Sequence, residues 1–170
     1  MPQPNAAALR AGRSAGLPAA SALPVQGLPP GILSAIIARG PARPVSVAAL
    51  GVAPSDLGEF VVVPLDASRM RARPGADDRP LSEMEADAPI TLHLARELGF
   101  DRFALIESDA EGGQAATVYH GRLRAMPVRQ GPGAINEALE RIGVRPEGGR
   151  DAFDTLGLGS VVQAGIGASG

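Results

Sequence analysis

His93, Glu97 and His120 are the residues whose types most resemble a metal-binding set. Positions four apart on a helix share a face, so His93 and Glu97 can point at one ion. His120 then supplies the third ligand of a two-histidine, one-carboxylate site. His-x-x-x-Glu also recurs by chance, and the same residues read as a solvated helix face and a surface strand histidine. A second set, Glu107, Asp109 and Glu111, alternates ahead of Gly112 like the start of a calcium loop. Such a loop closes with a bidentate glutamate, and Gln114 to His120 supply none. These acids therefore read as a solvated turn. Arg122 and Arg124 follow the last predicted strand and, two apart, share a face at the period of strand side chains. With Arg129 and with Arg69, Arg71 and Arg73 they outline an anion patch, which neighbouring acids are placed to neutralise.

Composition closes other chemistries. The chain contains no Cys, and all of its 16 basic residues are Arg. Thiolate metal sites, disulfides, Schiff bases and a phosphate-loop lysine are thereby excluded. The joint bias towards Arg, Ala, Gly and Pro fits GC-rich bacterial coding. Gly157, Gly159, Gly165 and Gly167 lack the dinucleotide-binding spacing, and no Gly-x-Ser-x-Gly elbow occurs. No catalytic or cofactor-binding residue is assigned, no cofactor is implied, and the balance leans away from an enzyme.

The elements that must position these residues follow from periodicity. Pro30 and Gly40 bracket Ile32, Leu33, Ile36 and Ile37, whose spacing predicts a short helix over residues 30–39. Val45 to Leu50 and Glu59 to Leu65 read as strands joined by a turn over Gly51 to Gly58. Asp66 to Pro80 reads as a polar loop, and Ser82 to Asp87 as one acidic turn. Pro89 opens a helix to Leu98, with Asp87 or Ala88 as its cap and Gly99 as its stop. Phe103 to Glu107 and Ala115 to Leu123 read as a hairpin around Asp109 to Gln114. Ile135, Ala138, Leu139 and Ile142 mark a last helix ended by Gly143. Helices interleaved with antiparallel strands predict an α+β fold: a small mixed or antiparallel sheet with two or three short helices, preceded by an extended N-terminal arm.

The arm is the compositional outlier. Before Asp56 there is no acid and before Phe60 no aromatic, while Arg10, Arg13, Arg39 and Arg43 give this part a charge of +4. Residues 56–170 carry 12 Arg against 18 acids, or −6. A body of that sign does not attract nucleic acid, and scattered arginines without aromatics make a weak footprint. The expected division is an Ala/Pro-rich arm over 1–29, one small domain over 30–146 and a Gly-rich tail over 147–170. No stretch approaches the roughly 18 apolar residues of a membrane span. Prolines interrupt any secretory or transit signal in the arm, so the expected location is cytoplasmic or particle-associated.

These features predict a non-catalytic assembly subunit of a larger bacterial or phage-like particle. Its partners are other protein subunits in a homo- or hetero-oligomer, reached through the arm and the tail. The expected contact residues are Leu9, Arg10, Arg13, Leu17, Leu23, Leu28, Ile32 and Ile36. The competing expectations are a small ligand-binding or regulatory domain and a metal-dependent enzyme using His93, Glu97 and His120.

Overall fold

The computed structural model describes residues 33–65, 79–109 and 111–160. Six strands form one antiparallel sheet. They are β1 (Leu33–Arg39), β2 (Ser55–Leu57), β3 (Phe60–Pro64), β4 (Arg102–Ser108), β5 (Gln114–His120) and β6 (Leu123–Gln130). Their order across the sheet is β2-β3-β1-β4-β5-β6. The helices are α1 (Pro44–Leu50), α2 (Pro89–Glu97), α3 (Ala134–Arg141) and α4 (Ala152–Thr155). The fold is α+β, as the interleaved periodicities predict. The predicted arm over 1–29 and the contacts Leu9, Arg10, Arg13, Leu17, Leu23, Leu28 and Ile32 lie outside the described residues.

Both faces of the sheet are covered. Leu33, Ala35, Ile37, Val62, Ala104, Ile106, Val118 and Met126 face a layer made by α3, α4 and Leu158. Ile36, Ala38, Val61, Val63, Phe103, Leu105 and Tyr119 face a layer of α2, Met84 and Ala86, with α1 half-buried beside it. A strand buried on both sides is apolar at every position and shows no alternation. This explains the main correction. Of the predicted helix over 30–39, the described part, Leu33–Arg39, is strand β1, the central strand between β3 and β4. Consecutive apolar residues satisfy a helical spacing and a two-faced strand equally, and the β-branched pair Ile36–Ile37 favours the strand. Ile36, expected to contact a partner, is instead fully buried core.

The predicted strand Val45 to Leu50 is α1. Pro44 starts it where a helix tolerates proline, and Gly51 ends it with φ 64°. Val45 and Val47 alternate as in a strand, but Ala48 and Ala49 carry the helix. The predicted strand over Ala115 to Leu123 is two strands. Gly121, φ 59°, turns the chain between His120 and Leu123, in the first position of a two-residue hairpin loop that favours glycine. The expected tail from 147 also differs. Asp151 caps α4 by accepting from Asp154 N, and Ala152 and Leu158 are fully buried.

Neither edge of the sheet invites another strand. β2 has three residues. β6 carries Pro127, Arg124 and Arg129 and two register shifts against β5. Short edges, proline, charge and bulges are the usual defences against edge pairing.

Candidate functional site

The densest polar cluster joins the segment 81–88 to the β5–β6 hairpin. Asp87 is fully buried. Its Oδ1 accepts from the Tyr119 hydroxyl at 2.7 Å, and its Oδ2 from Arg124 Nη2 at 2.5 Å. Arg124 Nε also donates to the Tyr119 hydroxyl at 3.0 Å. The three groups close a triangle in which both carboxylate oxygens are used. The guanidinium lies over the Tyr119 ring, 5.6 Å from its centre. On the other side Phe103 stacks on Tyr119, with ring centres 5.7 Å apart.

The sheet register builds this row. Ala38, Phe103, Tyr119 and Arg124 are successive cross-strand partners, so their side chains share a face. Val118 pairs with Met126, and Tyr119 with Arg124, leaving Ala125 as an extra residue on β6. Without it Met126 and Arg124 would share a face; with it Met126 enters the α3 layer and Arg124 meets Tyr119 on the other. Thr117 Oγ1 satisfies the Met126 carbonyl at 2.6 Å.

The segment 81–88 is held along its length. Leu81 N donates to Asp87 O at 2.6 Å and Met84 N to Ser82 Oγ at 3.2 Å. Ala86 N donates to Glu107 Oε1, and Gln130 Nε2 to Glu83 Oε2 at 2.8 Å. Burial pushes the Glu107 carboxyl above its ordinary range, partly offset by the Ala86 N–H, and Glu85 adds to the rise. Burial, then the bond to Asp87, pushes the Tyr119 hydroxyl up to about 12. Tyr119 is thus a held donor rather than a base at neutral pH. No buried side-chain polar atom among the described residues lacks a partner. With every oxygen of Asp87 committed and the phenol kept protonated, the cluster supplies neither a nucleophile–base pair nor an open coordination position. It fastens a loop to the sheet.

The predicted metal set is not brought together. His93 and Glu97 lie on the exposed side of α2. Alternation along β5 puts His120 on the side of Ala116 and Val118, the face that α3 covers, opposite α2. There His120 Nε2 meets Asp101 Oδ2 at 2.9 Å. Among the described residues no group of three His, Asp or Glu is placed to hold a metal ion.

The other candidates also separate. Asp109 Oδ1 accepts from Glu111 N at 2.9 Å and Gly113 N at 2.7 Å, closing the hairpin turn on itself. Glu107 turns to Ala86. Arg122 sits in the β5–β6 turn, Arg124 is spent on Asp87, and Arg129 lies 3.8 Å from Glu137. Arg69, Arg71 and Arg73 fall outside the described residues. Sequence reasoning read Asp87 as an acid in a turn or as the cap of α2, a position that Ala88 takes. The available signals were its flanks, Ala86 and Ala88, and the single Tyr of the chain in an apolar strand, where a buried hydroxyl needs an acceptor.

No described helix is long and apolar enough to cross a membrane. Comparison with protein-family models, with curated proteins and with solved structures gives no match to this chain.

Proposed function

We propose that this chain is a non-catalytic assembly subunit of a larger bacterial or phage-like particle, and that residues 1–29 reach neighbouring subunits, first among them further copies of the chain. The observation that carries this reading is the root of the arm. Leu33, where the described chain begins, is fully buried at the start of the central strand, paired with Ser108. An arm rooted there transmits load to the middle of the sheet, not to an edge that peels. The blunted edges argue in the same direction, because they leave strand addition unfavourable. The densest polar cluster of the body is a fastening, which favours a structural part over a catalyst.

The test is the concentration dependence of unfolding. An assembly that forms only from folded chains raises the melting midpoint with protein concentration. We expect that rise in the full chain and its loss when residues 1–29 are removed, since the described core lies wholly within 33–160. A midpoint independent of concentration in the full chain would contradict the proposal.

A further inference from the structure

We propose that the outer face of α1 is the seat for the charge-free N-terminal stretch of a neighbouring copy, residues 14–32, made of the second half of the arm and the three residues that follow it; this rests on the assembly reading above. α1 contains no buried residue. Val47 and Leu50 pack partly against the core. Val45 is 83% exposed, and Ala48 and Ala49 are exposed on the same side. Positions 45, 48 and 49 follow the spacing of one helix face. No ionisable residue occurs between Arg43 and Asp56. The other long helices turn charge outward: His93, Arg96 and Glu97 on α2, and Glu140 and Arg141 on α3. α1 carries no charge and only Ser46 as a polar side chain, yet it lies at the surface of the chain.

Its occupant must be apolar and uncharged, because a charge pressed against this face loses hydration without gaining a partner. Apart from Ala110, three stretches of the chain lie outside the described residues. Residues 66–78 carry Asp66, Arg69, Arg71, Arg73, Asp77 and Asp78, which excludes them. Residues 161–170 are uncharged but offer only Val161, Val162 and Ile166 as large apolar groups. Residues 14–32 are uncharged and carry Leu17, Leu23, Val25, Leu28 and Ile32. Extended, that stretch spans roughly 60 Å, against roughly 10 Å for α1.

Position favours a neighbour's α1. The arm joins β1 at Leu33, beside Ser108, whereas α1 follows Arg39 at the opposite end of the same strand. To reach its own α1 the arm would have to reverse and run back the full length of β1, roughly 23 Å. A neighbour's α1 requires no such reversal.

The experiment uses the full chain, with molar mass measured by light scattering over a concentration series. The variants are Val45→Asp on the seat, Leu23→Asp in the arm, and both together. An aspartate in the first turn suits the helix dipole, and circular dichroism checks that each variant keeps its helices. We expect each single variant to shift assembly to at least tenfold higher concentration. The double variant should shift it no further than the stronger single, because both remove one contact. Assembly unchanged by Val45→Asp overturns this inference and leaves the assembly reading standing. Loss with Val45→Asp but not with Leu23→Asp overturns the arm as occupant and makes the face a contact between bodies. A wild-type chain that stays monomeric overturns the assembly reading, and this inference with it.

Discussion

The two layers that cover the sheet are finished in different ways. The α3–α4 layer buries only apolar side chains, and its polar ties, Asn136 to Asp151 and to Phe153 N, lie at its partly exposed rim. Ala134, Ile135, Ala138 and Leu139 point inward, while Glu137 pairs with Arg141 at 3.0 Å on the wet side. The opposite layer is part apolar and part polar. It relies on α2, on a loop fastened through Asp87, Tyr119 and Arg124, and on α1, whose outer side is apolar. The first layer reads as scaffold. In the second, a buried polar fastening fixes a loop in one place, and an apolar helix faces outward.

The largest expected effect lies in the scaffold layer. Leu139 is fully buried, and Leu139→Ala should destabilise the protein by about 3–5 kcal/mol in urea unfolding, through lost burial and an unfilled cavity. Asp87→Ala tests the other layer. It strands the Tyr119 hydroxyl and the half-buried Arg124, and should cost about 2–4 kcal/mol. If Asp87→Ala proves neutral while Leu139→Ala does not, the fastening is dispensable and the contrast between the layers collapses.

That contrast was only partly legible in the sequence. α2, α3, β3 and β4 were readable because Pro89, Gly99 and Gly143 punctuate them and their apolar spacing is unambiguous. β1 and α1 were exchanged. The cause is the second layer itself: a strand covered on both faces loses its alternation, and a helix without an outward charge loses its amphipathic signature. β6 was missed because its exposed arginines and Pro127 mask a strand that packs mainly through Met126. Asp87, Tyr119 and Arg124 lie 32 and 5 residues apart along the chain. Their meeting depends on sheet register and on the extra residue at Ala125, which no spacing rule reveals.

Smaller effects sharpen the comparison. Tyr119→Phe removes one donor to Asp87 and one acceptor for Arg124, at a cost of about 1–2 kcal/mol. The same residue sets an alkaline limit. Its folded pKa is raised to about 12 from 10.0, so its contribution is complete below pH 10 and is lost as pH rises to about 12. Stability should fall by about 2 kcal/mol across that window, and Tyr119→Phe should remove this component. Asp151, lowered by the N–H of Asp154 and the amide of Asn136, works in the opposite sense. Its contribution is present above the ordinary carboxylate range and fades as pH falls through its lowered value.

The smallest expected effect on stability is at α1. Val45→Asp should change the unfolding free energy by no more than about 0.5 kcal/mol, as for an exposed position. A loss well above 1 kcal/mol at low protein concentration would mean that the chain's own segments cover this face, and the two layers would then be closed alike.

The measurement that bears most directly on the account is the molar mass of the full chain in solution, by light scattering across concentration, beside the chain lacking residues 1–29. Assembly through the arm predicts a multiple of 17.3 kDa for the full chain, and a folded monomer once those residues are gone. A full chain at 17.3 kDa at every concentration, or an oligomer that survives removal of the arm, would contradict it.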